Sequence, residues 1–207
     1  MEKVFVLLAF CNEAASLRWW PIVVQNDKPT FRWADFVRVP VDVQMTVSEI
    51  FETADLSLCG PVQWMTAIRE PSKGVYVVAR TSDPYAGCRS CPLPLRDPIP
   101  AGLTIEPTYE VDRWLRQEPI VYIGKSDQPL SRRVCQFYQH QCGNPSPHAG
   151  GQVVLLLSCE LWLYWSPSPH PGNSERTMLS AFESVVGKLP FANFDRKRRP
   201  RRIKRLS

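Results

Sequence analysis

Two stretches of the chain are dense in β-branched and aromatic residues: Gly74-Val75-Tyr76-Val77-Val78-Ala79-Arg80 and Ile120-Val121-Tyr122-Ile123-Gly124-Lys125-Ser126. That composition suits a pleated backbone and predicts two strands. The pattern changes around them. Val47, Ile50, Phe51 and Leu56 share one helical face, with Thr46 and Glu49 spaced for a capping box, so a short helix is predicted from Thr46. Gly60-Pro61-Val62-Gln63-Trp64 reads as a turn leading to the first strand. Between Arg80 and Pro119 the prolines and glycines predict mostly loop, ending in a helix over 111–116 with Val111, Trp114 and Leu115 on one face. Leu130 to Tyr138 predicts a helix. Cys142 to Gly151 is turn-forming, Val153 to Leu157 predicts a third strand, and the alternation in Leu161 to Trp165 predicts a fourth. Met178, Leu179, Phe182, Val185 and Val186 make a helical stripe that Ser174 can cap and Gly187 can end. Upstream, Val4 to Cys11, Trp19 to Val24, Phe31 to Trp33 and Val37 to Val43 predict short strands separated by turns.

These elements describe an α+β domain with a small, mainly antiparallel central sheet flanked by helices, preceded by a β-rich N-terminal segment. The divisions are 1–45 for that segment, 46–194 for the domain with an insertion at 81–119, and 195–207 for a basic tail. The chain has 207 residues and is 44% hydrophobic, which is enough for one sizeable core and excludes disorder throughout. The tail changes how its charge is read. Eight of the 25 basic residues fall in 196–205, and without them the 20 acidic residues outnumber the remaining 17. The basic character therefore belongs to the tail, which suits a polyanion such as nucleic acid; the alternative is a solvated end with no specific partner. Seven cysteines without regular spacing do not make a secreted disulfide framework, so reduced thiols in a cytoplasm are expected. No stretch reaches the length of a membrane span.

The candidate chemistry lies in an order of residues. Gly74-Val75-Tyr76 opens the first strand and Tyr122-Ile123-Gly124-Lys125 closes the second, with Arg133 on the helix that follows. Glu175 then stands near the start of a later helix, and Met178, Leu179, Pro190 and Asn193 come after it. This order resembles the GIY-YIG nuclease superfamily over residues 74–193. Gly60 to Trp64 and Pro147 to Gly151 also resemble a bacterial branch of it, which extends the likeness back to about residue 46. Arg133 fits the family's arginine better than Arg132, and Glu175 fits its metal-binding acid better than Glu183.

The resemblance implies a metal-dependent endonuclease that hydrolyses DNA phosphodiesters with Mg²⁺, or Mn²⁺, held by Glu175. It casts Tyr76, Tyr122, Arg133 and Glu175 as catalytic, and Gly74, Gly124, Lys125, His148 and Asn193 as substrate-binding. The residue types suit the chemistry: a carboxylate for a hard cation, a guanidinium fork for a phosphoryl oxygen, and a phenol to activate water once its pKa is lowered. Tyr122 would position water or phosphate, and the two glycines would let backbone approach closely. The insertion at 81–119 separates two strands that the family joins closely, and is expected to select substrate without doing chemistry. Two rivals stand beside this reading: a non-catalytic nucleic-acid-binding protein that keeps the fold, and an interaction module built on the aromatic-rich N-terminal segment. Cys88 and Cys91 have zinc-like spacing without a second pair, so plain thiols are the expectation there.

Overall fold

Thr46 starts the first helix, α1 (Val47–Glu52), as the capping-box spacing predicts. Its Oγ1 accepts from the Glu49 N–H at 3.2 Å, and the Glu49 carboxylate accepts from the Thr46 N–H at 2.8 Å. The computed structural model describes residues 44–97, 113–139 and 151–194. The strands predicted upstream of residue 44, His148 and the basic tail lie outside the described residues. After α1 come β1 (Cys59–Gln63), β2 (Gly74–Ala79), β3 (Ile120–Ser126), α2 (Leu130–Tyr138), α3 (Gly151–Leu155), β4 (Trp162–Pro167) and α4 (Pro171–Val186). The class is α+β: the described residues form one four-stranded antiparallel sheet, in the order β1-β4-β2-β3, with four helices against it.

β2 is the centre of the sheet. Each of its six residues is buried, because it pairs with β3 on one side and β4 on the other while helices cover both faces. Alternation along the strand divides its side chains between two cores. Tyr76 and Val78 join Leu163 beneath Leu130, Val134 and Phe137 of α2 and Val153 and Val154 of α3. Val75, Val77 and Ala79 join Ile123 and Tyr164 beneath Ile50 and Phe51 of α1 and Met178 and Phe182 of α4. The β2–β3 register shifts once, since Val78 faces Tyr122 and Ala79 faces Ile120, which leaves Val121 as the extra residue of a bulge.

Four predicted elements differ. Val153 to Leu157 is not a strand: residues 151–155 are helical, and only Leu157 makes a bridge, to Leu95. Gly60 to Gln63 is not a turn but part of β1, paired with β4 at Val62↔Leu163 and Gln63↔Trp162. Arg113 to Glu118 is not helical. Helix α4 begins at Pro171, a residue suited to the first helical position, so Ser174 lies inside it. Its other end is as predicted, with Gly187 in the left-handed conformation at φ 81°.

The described parts of the insertion are tied down. Arg96 N–H donates to the Leu156 carbonyl at 2.8 Å and Ser158 N–H to Pro94 at 2.8 Å. Trp114 packs on the α2-side core and Leu115 on the α4-side core. The base of the insertion thus covers the domain's interior. Among the described residues no helix is long and apolar enough to cross a membrane.

Candidate active site

Helix α2 carries its site residue on its core face. Leu130, Val134 and Phe137 are its buried stripe, and Arg133 falls between them at the i+3 position from Leu130, while Arg132 is exposed. A guanidinium on a buried face is aimed at the sheet, and the sheet offers two phenols there. Register pairs Val78 with Tyr122 and Tyr76 with Gly124, so Tyr76, Tyr122 and Gly124 share the α2 side. The two tyrosine rings lie 5.9 Å apart, and Phe137 stands edge-on to both, at 6.1 Å and 5.6 Å.

Gly124 is what lets the rings come together. A Cβ there would lie 2.6 Å from Cζ and 2.8 Å from Oη of Tyr76, and 2.7 Å from Cε1 of Tyr122, well inside contact distance. The phenols therefore close over a bare Cα.

Electrostatics links the four. Burial pushes the Tyr76 phenol up; the Arg133 charge and the nearby Tyr122 hydroxyl act against that, and Glu175 adds to it. Burial pushes Tyr122 well above the ordinary phenol value, with Tyr76 and Glu175 raising it further and Arg133 opposing. Glu175, in the second turn of α4, is thus close enough for its charge to act on both phenols. Tyr76 Oη and Arg133 Nε are buried, and neither has a partner in normal hydrogen-bond geometry. A buried donor without a well-formed hydrogen bond costs about 1–3 kcal/mol. Near neutrality both phenols are protonated.

The remaining residues are placed differently. Gly74 is buried against protein: a Cβ would lie 2.1 Å from the Ser166 carbonyl oxygen and 2.9 Å from Leu130 Cδ1, so its missing side chain is explained by strand packing. Lys125 pairs with Val75 and so lies on the face opposite the tyrosines, where its Nζ bonds Asp127 at 2.8 Å. Asn193 is buried and uses its amide on the backbone of β3. Ile123 N–H donates to its Oδ1 at 2.9 Å, and its Nδ2 donates to the Ile123 carbonyl at 2.7 Å. It thereby holds the strand at the residue between Tyr122 and Gly124. Phe137, four residues beyond Arg133 on the same helical face, packs both phenols and was not singled out in the sequence; its spacing was the available signal.

Magnesium suits a single-carboxylate site, since it keeps several waters and completes its shell with substrate phosphate oxygens. Glu175, a single carboxylate whose charge reaches Tyr76 and Tyr122, fits such an ion. Among the described residues no group of three or more His, Cys, Asp or Glu is arranged to hold a metal. No protein-family model, no curated protein and no solved structure matches the chain.

Proposed function

We propose that the chain is a metal-dependent endonuclease of the GIY-YIG kind, hydrolysing DNA phosphodiesters. The observation that carries the reading is that Tyr76 and Tyr122 close over Gly124 and that the charges of Arg133 and Glu175 both act on them, four side chains from four elements. Arg133 binds a non-bridging phosphoryl oxygen, and its unpartnered Nε is the donor available for it. Glu175 would hold Mg²⁺ or Mn²⁺, which when bound supplies a Lewis acid for the phosphoryl group and lowers the pKa of water. Tyr76 holds the attacking water through its Oη and takes its proton once the phenol is ionised, a state that Arg133 favours and burial opposes. Tyr122 orients the same water or phosphate, and the Asn193 clamp keeps Tyr122 and Gly124 in register.

One observation favours the rival in which the fold binds nucleic acid without cutting it: burial keeps both phenols protonated near neutral pH. The two readings separate on one experiment, with plasmid DNA and Mg²⁺ as substrate. Cleavage by the full chain should be abolished by Glu175→Gln and unaffected by Glu183→Gln, with DNA binding and thermal unfolding unchanged in both. Binding without cleavage by the unmodified chain supports the rival, and loss of cleavage in Glu183→Gln instead overturns the metal assignment.

A further inference from the structure

Three thiols meet where the first arm of the insertion lies against the turn before β4. Cys88 and Cys91 are on the arm. Cys159 follows Ser158, whose N–H and hydroxyl both donate to the Pro94 carbonyl. Arg80, leaving the end of β2, brings its guanidinium into this corner. Its Nε and Nη2 donate to the Glu118 carbonyl at 3.0 Å and 2.8 Å, and Nη2 also to that of Arg116 at 3.0 Å. These bonds and the Trp114 ring 4.8 Å away fix its plane, and its Nη1 donates to the Cys91 sulfur. Cys91 is fixed as well, its N–H on the Arg116 carbonyl at 3.1 Å and its own carbonyl accepting from Trp114 Nε1 at 2.9 Å. Reactive cysteines sit in electropositive, partly exposed surroundings, and Cys91 is partly exposed with a guanidinium against its sulfur.

We propose that Cys91 is a redox modification site, a sulfur held by Arg80 that exchanges with low-molecular-weight disulfides and is then resolved by Cys88. Burial pushes the Cys88 and Cys159 thiols up, and Arg80 opposes this in both. Cys91, bonded to the guanidinium, is therefore the attacking partner. Cys91 gives up its proton to solvent and attacks one sulfur of the disulfide, forming a mixed disulfide and expelling one small thiolate. The Cys88 thiol gives up its proton to solvent and attacks the Cys91 sulfur, forming Cys88–Cys91 and expelling the second. Two protein thiols are oxidised and one disulfide is reduced to two thiols. The inference stands independently of the nuclease reading.

Arg89 lies between the two cysteines, so trypsin separates them into peptides 81–89 and 90–96. The full chain is treated with glutathione disulfide, quenched at intervals by alkylation and mapped by mass spectrometry. Peptides 81–89 and 90–96 should appear joined, with modification at Cys91 about ten-fold faster than at Cys135, which is exposed on α2. Cys88→Ser should retain one glutathione on Cys91, and Cys91→Ser should give no joined pair. Faster reaction at Cys135 shows that exposure alone governs and overturns the proposal. So does Cys88→Ser carrying no glutathione on Cys91, or a wild-type product that joins other cysteines.

Discussion

At the scale of single residues, the two strand glycines of the sequence motif do different work, and alanine tells them apart. Gly124→Ala places a methyl group 2.6–2.8 Å from both phenols, so the rings must separate. Overpacking of this kind costs about 1–3 kcal/mol, and moving catalytic groups by about 1 Å can cost on the order of 10²-fold in rate. Gly124→Ala should therefore fold and bind DNA while its cleavage rate falls by about two orders of magnitude; a rate within a factor of three of wild type would show that the phenol geometry does not matter. Gly74→Ala meets the Ser166 backbone at 2.1 Å and should lower the melting temperature instead. The phenols make a second prediction. An unfolded phenol ionises near pH 10, whereas burial raises Tyr76 and Tyr122 and brings Tyr164 up to about 12. The unfolded chain therefore loses these protons first. The stabilisation they carry is complete below about pH 10 and lost as pH rises through the folded values. Urea midpoints should be level up to about pH 9 and fall beyond 10, and Tyr164→Phe should fall less steeply between about 10 and 12. Parallel curves for the two proteins would contradict this.

At the scale of elements, what was legible in the sequence depended on local signals strong enough to stand without tertiary context. The capping box of α1, the strands carrying Tyr76 and Tyr122, and Gly187 at the end of α4 all announce themselves locally. Arg133 was distinguishable from Arg132 because an apolar residue and then an aromatic pair follow it, as in the family it resembles. Other segments were decided by their surroundings. Val153 and Val154 are β-branched, but a short apolar run looks alike as buried strand or buried helix, and packing under α2's side of the sheet made it helical. Gly60-Pro61 carries a turn signature, yet the free edge of β4 recruits it as an edge strand, where proline is tolerated. That Asn193 grips Ile123 could not be read from spacing, because it needs the chain to return to β3 from 70 residues away. The segment around Trp114 lost its predicted helix to tertiary bonds. Its indole donates to Cys91, lies under Arg80 and stands edge-on to Phe191 at 5.0 Å. Trp114→Ala should cost about 3–5 kcal/mol, read as a urea midpoint shift, and should weaken cleavage only through stability. Unchanged stability would mean that the base of the insertion is not part of the core.

At the scale of the whole molecule, the point where the chain leaves the domain connects the basic tail to the site. Asn193 clamps β3 at Ile123, Ala192 N–H donates to the Val121 carbonyl at 2.9 Å, and the Arg113 guanidinium donates to the Asn193 carbonyl and lies 4.7 Å over the Phe194 ring. Residues 192–194 thus lie against the strand that carries Tyr122 and Gly124, and eight cations follow them in the sequence at 196–205. Under the proposed function, cations that follow this point in the chain would add phosphate contacts, and so affinity, without touching the chemistry. Each duplex phosphate contact contributes about 0.9 to the slope of log affinity against log salt, so eight cations bound the tail's share at about seven. Deleting residues 196–207 should make that slope shallower and weaken binding most at low salt, while the cleavage rate at saturating DNA stays within about two-fold. Equal slopes for the two forms would show that the tail makes no phosphate contact. A fall in saturated rate would place the tail in the chemistry, contrary to an assignment in which Arg133 alone supplies the guanidinium at the reacting phosphate.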